Sequence, residues 1–148
     1  TRDGIRLTKV RKKIDGFYFD FNDYPDIAQA VIATCAGMGI RGRFEGLSSL
    51  QIKETDRLRA LKNEIGKLGI AVDISTLGAN LSTLDIKSIK SSFPGGLTFD
   101  TFGDHRMAMA LAPFVLKTGS LKIMNPDVVM KSYPHYWQDL QLLGFEIQ

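Results

Sequence analysis

The sequence predicts an α/β protein built from repeated strand-helix-strand-helix-strand-strand (βαβαββ) units. Three observations carry this. Strand-like and helix-like hydrophobic periodicities follow one another in that order over 17–90 and again, cut short, over 97–148. The offset between the passes is constant: Asp26 and Asp104 each open a first helix and Lys53 and Lys131 each stand at the start of a second, both pairs 78 residues apart (104 − 26 and 131 − 53). The endings are alike as well, KLGIAVDI at 67–74 and LLGFEIQ at 142–148. In such a repeat, neighbouring units bury their apolar faces against each other.

Taken in order, residues 5–9 and 17–21 alternate as a pair of strands. A helix is predicted over 25–38, with Pro25 suited to the first helical position and Asp23 as its cap. A strand at 42–46 leads to a helix over 53–68. There Ser48 and Gln51 have capping-box spacing, Leu58, Leu61, Ile65 and Leu68 form the buried stripe, and Gly69 is placed to terminate the helix. Strands at 71–75 and 80–86 close the first unit. After the turn-rich SSFPGG at 91–96 come a strand at 97–102, a helix containing the apolar run 107–116 that Pro113 should bend, a strand at 120–124 and a helix over 132–143.

Length and composition bound the answer. The 148 residues, 44% hydrophobic and 24% charged, suit one ordinary core or two small ones sharing an interface. The longest apolar run, ten residues, is too short for a bilayer and reads as a buried helix. We therefore expect no membrane segment, and no charged-then-apolar leader opens the chain. The single cysteine, Cys35, lies in an apolar helical pattern, so a reducing, cytoplasmic compartment is expected. Formal charge is +3, with Arg2, Arg6, Lys9, Arg11, Lys12 and Lys13 crowded at the start, which favours nucleic acid or small phosphorylated molecules as partners. The start at Thr1, within a predicted strand pair, suggests a piece of something longer.

The ionisable residues gather at helix beginnings. Arg57 lies four residues before Leu61 and prolongs the buried stripe, with Lys53 and Glu54 one turn earlier. A long cation at the end of a buried stripe is badly placed for water and well placed to meet an anion. If the helices run side by side, their N-termini bring together Asp26, Lys53, Glu54, Arg57, Asp104, His105, Arg106 and Lys131. Fixed cations hold phosphate or carboxylate, and carboxylates beside them move protons, which describes an enzyme site for an anionic substrate. The same residues also have structural uses: acidic first turns stabilise helices, Arg57 and Glu54 can pair within one turn, and His105 can cap. His105, His135 and Cys35 have no metal-ligand spacing, so no metal or cofactor is expected. Gly95 and Gly96 lack the lysine and hydroxyl of a phosphate loop, and no serine stands in a nucleophile elbow.

Three ordered motifs, KETDRLRALKNEIGKLG (53–69), DHRMAMA (104–110) and NPDVVMKSYPHYWQDLQLLG (125–144), with YPDIAQAVIATCA (24–36) before them, resemble the 5-enolpyruvylshikimate-3-phosphate synthases. The resemblance runs from about residue 17 to the end. It implies the inside-out α/β barrel of the enolpyruvyl transferases, with helices packed inside, of which this chain would supply about two of six units from the C-terminal part. It implies transfer of the enolpyruvyl group of phosphoenolpyruvate to the 5-hydroxyl of shikimate 3-phosphate, in the shikimate pathway of aromatic amino acid biosynthesis.

By motif, Asp26 would accept the hydroxyl proton and Glu54 would protonate the methylene carbon. Lys53, with Asp26, would hold shikimate 3-phosphate. Arg57, Arg106 and Lys131 would hold phosphoenolpyruvate, Lys131 sharing in proton transfer, and His105 would support the site by hydrogen bonding near Glu54. Two positions depart from the family pattern: Gly103, where asparagine or aspartate is common, and Ser49, where many members carry asparagine. Further substrate-binding residues lie in the missing N-terminal part of the same enzyme, so the isolated chain is expected to be inactive.

Two rival readings remain at this stage. The sister transferase acting on UDP-N-acetylglucosamine shares fold and donor, but typically lacks the KETDR and DHR combination and the lysine before SYP. A small basic RNA-binding module would use GFYFDF (16–21) to stack bases, although alternating strand aromatics more often belong to a core.

Overall fold

A computed structural model describes residues 4–8, 14–77 and 81–148. Its order is β1 (Gly16–Asp20), α1 (Ala28–Met38), β2 (Arg41–Glu45), α2 (Arg57–Lys67), β3 (Val72–Leu77) and β4 (Leu81–Ile86). There follow β5 (Leu97–Phe99), α3 (His105–Leu111), α4 (Val115–Thr118), β6 (Leu121–Ile123) and α5 (Tyr136–Leu142). The expected strand at 5–9 does not form over 5–8, and Lys9 lies outside the described residues, as do Arg2, Arg11, Lys12 and Lys13 of the basic cluster.

β1 and β2 pair in parallel, with Phe19 opposite Phe44, and β4 inserts antiparallel between β2 and β3 to give the order β1-β2-β4-β3. β5 and β6 form a second, parallel pair. Parallel neighbours need a crossover, and α1 and α3 provide them. The aromatics of GFYFDF take the core side: Phe17, Phe19 and Phe21 pack against one another and Phe44, while exposed Tyr18 donates its hydroxyl to Glu45 at 2.9 Å.

One continuous core joins both halves. The α2 stripe (Leu58, Leu61, Ile65, then Leu68) is fully buried with Phe21, Phe44 and Leu84 from the first sheet and Phe99, Met107, Leu111 and Phe114 from the second half. Within the apolar run over 107–116, Met107, Ala108, Ala110, Leu111, Ala112 and Phe114 are buried, whereas Pro113 is exposed and Leu116 is 71% exposed. Pro113 does not merely bend that helix. It breaks it into α3, a 3-10 turn at Ala112–Phe114, and α4, because proline cannot donate the α-helical hydrogen bond. A second tie between the halves is polar: buried Glu64 on α2 accepts from the backbone N–H of Asp100 at 3.0 Å and from Lys67 at 2.6 Å.

Several expected boundaries move, for local reasons. Residues 25–27 form a 3-10 turn before α1, and Asp23 does not cap it. α2 starts at Arg57 rather than 53, because Asp56 supplies the cap by accepting from Arg59 N–H at 3.1 Å. Ser48 and Gln51 sit in a 3-10 turn, Ser48–Ile52, and bond Ser82 at the start of β4 instead of capping α2. α5 starts at Tyr136 rather than 132, after a 3-10 turn at Pro126–Lys131, since Pro134 interrupts the approach. Residues 144–148 form no strand. Gly69 takes the left-handed backbone (φ 74°) expected where a helix ends.

Candidate active site

The approaches to α1, α2, α3 and α5 bring charged groups to one place. Asp26 stands in the 3-10 turn before α1, Arg57 is the first residue of α2, and Asp104 caps α3 with His105 and Arg106 directly behind it. Lys53 and Lys131 are not helix starts; Lys53 directly follows the 3-10 turn Ser48–Ile52 and Lys131 is the last residue of the turn Pro126–Lys131, each ahead of a helix. Together Asp26, Lys53, Glu54, Arg57, His105, Arg106, Lys131 and Ser132 line one open cleft of about 330 Å³. All seven site residues expected from the sequence are among them. Ser132 was missed, having no charge or motif position to mark it, and Ser49 lies outside the cleft lining.

The approach to α3 shows why Gly103 is acceptable. Asp104 N–H closes a tight turn onto Thr101 O at 2.9 Å, with Phe102 (φ 52°) and Gly103 (φ 73°) both left-handed. Glycine, asparagine and aspartate are the residues that tolerate this backbone best. Phe102 has no such tolerance; a hydrogen bond from its N–H to Asp100 Oδ1 at 2.7 Å helps hold it there.

Arg57 is the centre of the charge network. Its side chain is 2% exposed; Nε donates to Asp104 Oδ2 at 2.5 Å and Nη2 to Glu54 Oε2 at 2.6 Å. Nη1 is buried with no hydrogen-bond partner among the described residues, and Asp26 Oδ1 lies 3.9 Å away. Arg106 reaches back across the repeat, donating from Nη1 to Asp26 O at 2.8 Å while Nη2 lies 3.2 Å from Asp26 Oδ2. Lys131 donates to Glu54 Oε1 at 2.6 Å. Lys53 lines the cleft and has no carboxylate partner among the described residues.

Electrostatics follow from these contacts. The Lys131 ammonium, followed by the residue's own backbone N–H, holds the Glu54 carboxyl down to about 2. Glu54 is therefore fully ionised in the resting site. Burial pushes His105 below its ordinary value, against the pull of the Asp104 charge, so its neutral form is favoured. Its Nδ1 is buried without a partner, 4.0 Å from Asp104 Oδ1, and no hydrogen bond to Glu54 is formed. Two aromatic hydrogen bonds fix the Lys131 side of the cleft: Tyr136 Oη to Met109 O at 3.2 Å and Trp137 Nε1 to Pro126 O at 2.9 Å.

Residues 2–140 match the family model of EPSP synthase (3-phosphoshikimate 1-carboxyvinyltransferase). The chain belongs to the EPSP synthase family. Among curated relatives, a 3-phosphoshikimate 1-carboxyvinyltransferase of Bacteroides fragilis is 43% identical over 148 residues, covering 100% of this chain and 35% of the relative. One from Methanopyrus kandleri is 35% identical over 147 residues, covering 98% and 32%. This member of the family thus spans about a third of the length of the relatives it matches. A solved EPSP synthase from Acinetobacter baumannii superposes with a TM-score of 0.63 at 23% identity, covering 82% of this chain and 27% of the other, so the fold is that of part of an enolpyruvyl transferase. No helix among the described residues is long and apolar enough to cross a membrane.

Proposed function

We propose that this chain forms one wall of the active site of a 3-phosphoshikimate 1-carboxyvinyltransferase and contributes its C-terminal part. The reaction would move the enolpyruvyl group of phosphoenolpyruvate to the 5-hydroxyl of shikimate 3-phosphate, releasing phosphate. One observation carries the reading: four cations face one cleft, and the most buried of them, Arg57, keeps Nη1 without a hydrogen-bond partner among the described residues. A buried guanidinium N–H without an acceptor is costly, and an anionic substrate is the natural complement.

In this reading Arg57, Arg106 and Lys131 hold phosphoenolpyruvate, and Lys53 with Asp26 holds shikimate 3-phosphate. Asp26, exposed and with Arg57 and Arg106 beside its carboxylate, accepts the proton of the attacking hydroxyl as the hydroxyl oxygen bonds to C2 of phosphoenolpyruvate. Glu54 gives a proton to the methylene carbon and recovers one when phosphate leaves, which restores the double bond. The resting carboxyl, held near 2, cannot act as an acid. Phosphoenolpyruvate must therefore draw Lys131 and Arg57 away from Glu54, which lets the carboxyl protonate. His105, buried and neutral beside this pair, supports the site by excluding water. The buried free thiol of Cys35 suits a cytoplasmic enzyme.

The remainder of the enzyme is the required partner, so the test joins this chain to the missing segments of a relative. Phosphate release that needs both phosphoenolpyruvate and shikimate 3-phosphate is expected. Release with UDP-N-acetylglucosamine in place of shikimate 3-phosphate would favour the sister transferase, and release with neither acceptor would refute both.

A further inference from the structure

The cap on α3 has a second oxygen with a different task. We infer that Asp104 is a positioning residue that fixes the direction in which Arg57 faces the cleft. Capping needs one acceptor, and Asp104 Oδ1 provides it by accepting from Arg106 N–H at 2.8 Å. Oδ2 is left over, 0% exposed, and accepts from Arg57 Nε at 2.5 Å. A guanidinium is a flat fork with three nitrogens. With Nε held by Asp104 and Nη2 by Glu54, the remaining vertex, Nη1, points where no acceptor among the described residues forms a hydrogen bond with it.

The residue type fits the task. Serine or asparagine caps a helix as well as aspartate does, so capping alone does not explain a buried charge at 104. Only a carboxylate accepts on both oxygens; an asparagine would turn its NH2 toward either Arg106 N–H or Arg57 Nε, and one contact would become donor against donor. Asp104 also joins the two passes of the repeat, since Arg57 opens α2 of the first and Asp104 caps α3 of the second. Glu54 alone does not substitute, because it is shared with Lys131 at 2.6 Å and lies at the cleft, where a bound anion competes for the same cations.

Asp104→Ser separates the two tasks by keeping the cap and removing the Nε acceptor; Asp104→Asn, of native shape, serves if the serine variant does not fold. The first readout is the nitrogen NMR signal of the Arg57 guanidinium in the 148-residue chain. With the fork held, Nη1 and Nη2 give separate resonances; in either variant they should merge as the group rotates. Two resonances persisting in a folded variant would overturn the inference.

The second readout is the affinity of the cleft for inorganic phosphate. Removing a negative charge should by Coulomb's law alone tighten anion binding. Loss of aim should weaken it, by about tenfold for one charged hydrogen bond. Equal or tighter binding by the variants would also overturn the inference. It rests on the anionic-substrate reading only in this second readout. If the resonances merge but the unaltered chain ignores phosphate, Asp104 positions Arg57 and the reading of the cleft as an anion site fails.

Discussion

Replacing Lys131 with methionine, which keeps the length of the side chain and removes its charge, should raise the titration of Glu54. The carboxyl sits at about 2 against an ordinary 4.5, a difference worth about 3 kcal/mol at about 1.4 kcal/mol per pH unit. That figure is shared among Lys131, the backbone N–H of Glu54 and Arg57, with burial acting in the opposite direction. Lys131 is 61% exposed and Glu54 30%, so water screens their bond despite its 2.6 Å length, and about 1 kcal/mol is a realistic share.

The expected rise is thus somewhat under one pH unit, read by carbon NMR of the Glu54 carboxyl. The sign for stability follows from linkage. A carboxyl depressed by folding contributes stability that is present above 4.5 and lost as pH falls toward 2. The variant should therefore be less stable than the parent by about 1 kcal/mol in urea above that window and equally stable below it. A Glu54 titration unmoved by Lys131→Met would show that the ammonium does not hold the carboxyl down. It would also remove the switch from resting base to acid on which the proposed mechanism depends.

Three further outcomes can be checked. Arg57→Ala should cost about 3–5 kcal/mol in urea denaturation, because it strands the Asp104 charge in the interior; Arg106→Ala strands only half-exposed Asp26 and should cost less than about 1 kcal/mol. Burial depresses His105, so the unfolded chain binds its proton first as pH falls below 6.5; stability should fall across that range, and His105→Gln should flatten the slope of an acid titration followed by circular dichroism. The isolated chain should show no turnover of phosphoenolpyruvate and shikimate 3-phosphate, whereas in the complete enzyme Glu54→Gln should lower the rate of phosphate release per folded molecule; full activity in the folded variant would remove Glu54 from the mechanism.

The convergence of charges was legible because a buried stripe and a helix beginning are both local patterns. Leu58, Leu61, Ile65 and Leu68 gave the inner face of α2, and Arg57 at the end of that face could not point to water; the side chain is 2% exposed. The pairing of those charges was not legible. Glu54 meets Lys131 77 positions on, and Arg106 meets Asp26 80 positions back, contacts set by how two units pack and not by spacing along either helix. Asp56 carried a readable signal, a capping residue three positions before Arg59, but the more familiar Ser48 and Gln51 spacing competed with it. The 3-10 turns were hidden for a different reason: their hydrophobic spacing differs too little from that of an α-helix over three to six residues.

Most of the cleft's charge is balanced within the protein. Asp26 lies against Arg106, Glu54 against Lys131 and Arg57, and Asp104 against Arg57 from behind. Unpaired cations at such density would repel one another and strain the junction between the two units. The carboxylates offset that repulsion and hold the cationic side chains in place. They differ in how readily they yield. Asp104 is buried and fixed, so it belongs to the frame, while Glu54 and Asp26 are partly exposed and can exchange their cations for a phosphate or carboxylate arriving from the open side. Those two are also the carboxylates assigned to proton transfer. Under the proposed function, binding of substrate and release of the two carboxyls would be a single exchange of partners, so the groups would change protonation only when there is a substrate to receive or supply the proton.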